Sequence, residues 1–385
     1  MKLTYLILII ILLTTIFSVI AYNHYYNIEP EVPKEDFFFG VSFGGNTSIQ
    51  AKQLIDKVKG YTNIFLINSW DVTINETALN EVCEYASEAD LDFMVFFDFI
   101  SHTGYPWHLT GWLDTAKERW KNQFLGVYLY DEPGGRQIIS GEWDEGIYPK
   151  NISDYGEAAE FFVTSISSTS SMRDLKDRDI PVFTSDFALY WFDYLAGYDT
   201  IFVEFGWNHS RPQHVALGRG AANMQNKEWG AIITWTFQQP PYLEDDATLF
   251  LEDLKIAYQA GAKYLIVFNY PTYPKDNPYG ILKDDHFEAM ERFWKMTTSA
   301  EQTLEKVETE AAFVLPKDYG WGMLRPDDNI WFPEWGPDNK SALIWENMNT
   351  LIAKYGLKLD IIYDDPRFNF EEEYSNIYMW NDQID

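Results

Sequence analysis

The stretch Tyr128-Leu129-Tyr130-Asp131-Glu132-Pro133-Gly134-Gly135 sets two carboxylic acids side by side at the end of an apolar, aromatic run. One charge raises the proton affinity of its neighbour, so such a pair can keep one acid protonated as a general acid beside a partner carboxylate. The plain alternative is a solvated acidic turn before a proline. In an extended chain Val127, Leu129 and Asp131 share one face, and Tyr128, Tyr130 and Glu132 share the other. The bend at Pro133 lets Glu132 turn back over the strand end. Glu204, inside Thr200–Trp207 (TIFVEFGW), is a second candidate, because a lone carboxylate in an apolar run is costly without a partner or an opening. Asp98, in VFFDFI, follows the same logic.

Around these acids stand aromatics and amides at the ends of similar runs: Trp70, Tyr130, Trp207, Trp235 and Tyr270, with Gln238 and Asn269. Flat aromatic faces stack on the C–H faces of sugar rings, and neighbouring carboxylates and amides bind hydroxyls. Taken singly, each aromatic reads as core. Five near one rim, with amides between them, read as a sugar site.

The elements that must position these side chains follow from the pattern of runs. Eight are rich in β-branched and aromatic residues: 37–44, 62–70, 91–100, 124–131, 181–190, 200–207, 230–238 and 263–270. Most are almost continuously apolar, as strands buried on both faces of a parallel sheet are. Helical periodicity lies between them, over 47–59, 76–89, 249–260 and 287–304. Eight strand–helix units predict a (β/α)8 barrel, an α/β fold. A doubly wound open sheet fits less well, since no Gly-rich first turn is present. The connection from Pro133 to Ile180 is the longest, and its segment GGRQIISGEWDEGIYPKNISDYGE is expected to make an excursion over the barrel mouth before its helix. In this fold the carboxyl ends of the strands surround the site, which is why strand-end residues are the candidates.

From Ala311 the texture becomes rich in Pro, Gly, Trp and Asp, followed by a helix, SALIWENMNTLIAKYG, and a short strand, LDIIYDDP. The domain reading is therefore 37–310 as barrel and 311–385 as a small C-terminal α/β subdomain packed on it. At the amino end, Leu3 to Ala21 is almost wholly apolar behind Lys2, near the roughly 20 residues that span a bilayer. It reads as a signal anchor or a signal peptide within 1–22, joined by a Pro- and charge-rich linker over 23–36. The protein is then expected outside the cell, secreted or held at the membrane. Sequons at Asn46, Asn75, Asn151, Asn208 and Asn339 permit glycosylation there.

Composition narrows the rest. Lys and Arg total 29 against 59 Asp and Glu, a net charge of −30 that repels phosphate backbones and argues against nucleic acid as partner. The single cysteine, Cys83, falls on the apolar stripe of a helix, reads as core and leaves no intrachain disulfide. The six histidines show no zinc-binding spacing, and no P-loop, nucleophile elbow or dinucleotide motif occurs, so no metal or cofactor is expected. His209 and His214 are placed in a loop after the sixth strand, read as structural before ligand-binding.

With GVYLYDEP on the fourth strand and TIFVEFGW on the sixth, the chain resembles barrel glycoside hydrolases, in particular the spherulin-4-like and endo-α-1,4-polygalactosaminidase group. The resemblance implies an acidic centre of Asp131, Glu132 and Glu204 that cleaves glycosidic bonds of a polysaccharide. Many sugar-cleaving barrels place their second carboxylate on strand seven, where this chain reads AIITWTFQQ, with no acid. Another class of protein, a non-catalytic carbohydrate-binding or structural envelope component, uses the same scaffold. It predicts aromatics at the mouth without converging carboxyls.

Overall fold

The eight apolar runs pair in chain order, each parallel to the next, and the eighth closes on the first. In the computed structural model they are β1 (Phe38–Phe43), β2 (Ile64–Ile67), β3 (Asp92–Phe97), β4 (Phe124–Leu129), β5 (Val182–Asp186), β6 (Thr200–Gly206), β7 (Glu228–Trp235) and β8 (Tyr264–Val267). This is a closed (β/α)8 barrel. The residues described are 37–98, 104–139, 152–206, 209–235, 246–270, 277–299, 304–332 and 335–384. Outside them fall the 3–21 apolar run, the linker up to Asp36, Trp207, Gln238, Asn151, Asn208 and residues 140–151 of the long connection. Among the described residues no helix is long and apolar enough to cross a membrane.

Alternation along the strands decides what fills the barrel. Ile64, Leu66, Met94, Tyr128, Phe183, Phe202, Ile232, Tyr264 and Ile266 form one buried interior cluster, with Phe38, Phe96 and Phe268 against it. The residues of opposite parity, such as Val127, Leu129, Val203 and Phe205, are buried as well. Burial of both faces is why the runs carry so little polar alternation.

The helices begin where short polar side chains can cap them. α1 (Ser48–Val58) is capped by Thr47, α2 (Trp70–Thr73) by Ser69 and α3 (Glu76–Glu88) by Asn75, each side chain accepting a first-turn amide. Leu79, Val82, Cys83 and Ala86 form the buried stripe of α3, which places the lone thiol in the core. α4 is Leu109–Trp120. In the long connection the first residues of the expected excursion form α5 (Pro133–Ile139), residues 140–151 lie outside the described residues, and α6 (Tyr155–Ser167) and α7 (Ser170–Lys176) follow before β5. The apolar runs of the second, fifth and eighth strands extend past the strands themselves. Tyr190 already belongs to α8 (Tyr190–Ala196).

α9 (Arg211–Met224), α10 (Ala247–Gln259) and α11 (Asp284–Thr298) complete the barrel's outer layer. His214 lies within α9 rather than in a loop. It is buried, and its Nδ1 is 2.7 Å from Tyr190 Oη. Burial holds its imidazole well below the usual range, hence neutral.

After the barrel comes a second, three-stranded parallel sheet, with β9 (Ala311–Leu315) between β10 (Leu359–Tyr363) and β11 (Asn376–Met379). α12 (Ser341–Tyr355) connects β9 to β10. Only β10 is legible in advance; β9 is the apolar lead-in to a Pro-rich turn, and β11 is four residues long. Phe38–Asp385 form one compact unit.

Candidate active site

Two backbone turns build the site. After β4, Tyr130 and Glu132 both take left-handed conformations, with φ of 59° and 51°. Non-glycine residues adopt that region at a cost of roughly 1–2 kcal/mol each, and such strain collects at functional sites. The turn at Tyr130 breaks strand alternation. Asp131, of outward parity, is rotated to the same side as Tyr128 and Glu132, while Tyr130 is buried elsewhere. The Glu132 amide donates to the Ser185 carbonyl at 3.1 Å, tying the turn to β5.

Asp186 holds the other side of this turn. Its buried carboxylate accepts the amides of Gly134 (2.5 Å), Gly135 (2.8 Å), Phe187 (2.7 Å) and Ala188 (3.0 Å). Burial pushes Asp186 up to about 7 against the pull of those amides. Asp193, buried beside it, is raised well above the carboxylate range by burial and then by the Asp186 charge. Asp186 thus secures the backbone that carries Glu132 rather than facing a ligand.

The cavity so formed, of about 230 Å³, is lined by Asn68, Tyr128, Asp131, Glu132, Ser185 and Glu204, with Ile232, Thr234, Phe268 and Tyr270. Its residues come from the ends of β2, β4, β5, β6, β7 and β8, the face on which barrel sites are built. Tyr128 Oη is 2.6 Å from Asp131 Oδ1 and 2.7 Å from Ser185 Oγ. Ser185 Oγ is 2.7 Å from Glu204 Oε1.

Electrostatics separate the acids. Glu132 is pushed up to about 8, first by burial and then by the charges of Asp131 and Asp186. Glu204, 2% exposed, is raised well above the carboxylate range by burial and then by Glu132 and Asp131. Its carboxyl is hydrogen-bonded to that of Glu132. At neutral pH the raised proton affinity of Glu132 keeps it a protonated acid beside further acids in the cavity. No group of His, Cys, Asp and Glu among the described residues is disposed to hold a metal ion.

Asp131, Glu132 and Glu204 come together as the strand argument expects, and Tyr270 joins them. Four other expected contacts do not line the cavity. Tyr130 is turned aside by its own φ. Trp70 opens α2, tilted against Tyr105 at 5.5 Å. Asn269 is spent on the loop after β8, its Oδ1 accepting the Ile281 amide at 3.1 Å and its own amide donating to Ser42 Oγ. Asp98 follows β3, near the Tyr105 hydroxyl. Trp235 ends β7. Tyr128 and Ser185 also line the cavity; the sequence signals them only through their inward parity near the strand ends.

No protein-family model and no curated protein matches the sequence. Among solved structures, a GH5_18 protein from Bifidobacterium longum subsp. longum in complex with Manb1-4GlcNAc aligns at 11% identity over 90% of this chain and 96% of its own, TM-score 0.49. An endo-beta-1,4-mannanase from Thermotoga petrophila aligns at 10% identity over 73% and 82%, TM-score 0.45. Alpha-L-fucosidase isoenzyme 2 from Paenibacillus thiaminolyticus aligns at 12% identity over 89% of this chain and 59% of its own, TM-score 0.51. At such identity the likeness is one of fold.

Proposed function

We propose that the chain is an exported glycoside hydrolase acting on a cell-surface or environmental polysaccharide. The observation that carries this reading is the convergence of Asp131, Glu132 and Glu204 on one cavity, with Tyr128, Phe268 and Tyr270 among its walls. Glu132, protonated at neutral pH, is the proton donor to the glycosidic oxygen. Asp131 or Glu204 is the partner carboxylate, acting as nucleophile or as base for water according to separation, about 5 Å against 6.5–9.5 Å between carboxyls. Solved glycoside hydrolases among the structural neighbours support the reading at the level of scaffold, and fold alone does not fix function. An Asp-Glu pair after the fourth strand with a Glu on the sixth fits the polygalactosaminidase-like group. The apolar run at 3–21 supports export, with the protein secreted or anchored at the outer face of the membrane.

Converging carboxyls favour catalysis over simple sugar binding. The test is release of reducing ends from a panel of polysaccharides by wild type and Glu132→Gln. Cleavage by wild type and its loss in the variant, with glycan binding retained by calorimetry, supports the assignment. Binding without cleavage by wild type makes the protein a carbohydrate-binding module.

A further inference from the structure

Four oxygens form a bent chain across β4, β5 and β6: Asp131 Oδ1, Tyr128 Oη, Ser185 Oγ and Glu204 Oε1, separated by 2.6, 2.7 and 2.7 Å, with Ser185 Oγ also 3.4 Å from Asp131 Oδ1. Each successive separation is an ordinary O–H···O distance, and each such contact requires a proton between its oxygens. The two hydroxyls bring one proton apiece. Three contacts and two hydroxyl protons leave one proton that a terminal carboxyl must hold. The Ser185 amide does not fill the gap, because it donates separately to Tyr128 Oη at 3.2 Å.

We infer that Asp131 and Glu204 share a single proton through Tyr128 and Ser185, which act as positioning residues that pass it between the two carboxyls. At rest the proton belongs on Glu204, which is buried, whereas Asp131 is half-buried on the cavity wall. A charge costs less where water reaches it. Transfer moves each of the three protons across its own contact: Glu204 to Ser185, Ser185 to Tyr128, Tyr128 to Asp131. Three O–H bonds break and three form, and net charge is unchanged. Glu132 after β4, Asp186 at the end of β5 and Tyr190 in α8 are the other titratable groups whose charges bear on Glu204. The consequence for turnover rests on the glycoside hydrolase reading: the partner charge opposite Glu132 can move from Asp131 to Glu204 when a ligand covers Asp131.

Neutron diffraction from deuterium-exchanged crystals of the full chain at neutral pH reads the proton count without any substrate, so it stands even if no glycan is cleaved. The expected result is a deuteron on each of the three contacts, one of them bonded to Glu204. A Tyr128–Ser185 contact without a deuteron, or both carboxyls ionised, overturns the inference. On a glycan that wild type cleaves, Ser185→Ala should lower kcat roughly tenfold, within the range of proton-transfer assistance. It should also move a limb of the kcat–pH profile, while Ser185→Thr, which keeps the hydroxyl, restores both. A loss confined to KM, or unmoved limbs, removes the relay.

Discussion

At the scale of single residues, the site is defined by proton affinity more than by shape. Glu132 and Glu204 are both raised, and burial is the first cause of each. For Glu132 the linkage has a definite sign. The folded chain holds its proton up to about pH 8, the unfolded chain only to about 4.5, so the native state binds more protons in between and stability falls as pH rises. The glutamine of Glu132→Gln carries no titrating carboxyl. Wild type should therefore lose melting temperature between pH 5 and 8.5 more steeply than the variant, with the two close together at pH 4 or below. Parallel curves from scanning calorimetry would place the Glu132 carboxyl in water. Turnover of a cleaved glycan should fall about 10²–10⁴-fold in the same variant.

Between residue and fold lies the turn from β4 into α5, which aims both acids. Its glycines are required by close approach. A Cβ on Gly135 would stand 2.2 Å from the Phe187 ring, and one on Gly134 would meet Ala188 O at 2.6 Å. Alanine ordinarily favours a helix over glycine by about 1 kcal/mol. Here Gly135→Ala should instead destabilise by about 1–3 kcal/mol, the usual cost of overpacking. It should also lower kcat, because displacing Phe187 loosens the amides that Asp186 holds. A urea midpoint equal to or above that of wild type would show that the β5–α8 loop yields freely. Glycine pairs after a DEP sequence look like flexible turn residues when read alone; their packing partner is more than fifty residues away in the chain.

For the molecule as a whole, barrel and C-terminal sheet are joined by a buried ion pair. Arg219 of α9 donates Nε to Asp360 of β10 at 2.7 Å, and its other nitrogens reach the carbonyls of Leu357 (2.6 Å), Leu359 (3.0 Å) and Ala260 (3.3 Å). Asn223 and Tyr374 complete Asp360, each at 3.0 Å. Around this joint Trp331 packs on Phe192 and Phe162, and Gly220 lies against the Ile361 backbone. Asp360→Asn leaves the Arg219 charge buried and unpaired, so a loss of about 3–5 kcal/mol is expected in denaturant titration. Far-UV ellipticity and tryptophan emission should report one shared transition, as expected when tail and barrel unfold together. Two separated transitions would show that the tail stands alone. A chain begun at Glu31 keeps every described element and should be monodisperse with the melting temperature of the full-length protein in detergent. Aggregation of that shortened chain would assign the 3–21 segment to the fold.

What the sequence determined by itself was whatever depends on local periodicity. Eight doubly buried runs alternating with amphipathic helices specify a parallel barrel. Strand ends in that barrel then name Asp131, Glu132 and Glu204, because parity and position along a strand are countable. The tertiary structure alone decided what depends on non-local contact. A left-handed Tyr130 brought Asp131 to the cavity and took Tyr130 away from it. The pairing of Ser185 with Tyr128 and Glu204 joined three strands through hydroxyls that look unremarkable in one dimension. Asn376 came to lie beside Ala311 across most of the tail, making a sheet from strands too short to announce themselves. The physical reason is the same in each case: φ in a turn, hydroxyl partners and edge-strand pairing are chosen by neighbours distant in the chain, and local pattern carries no record of them.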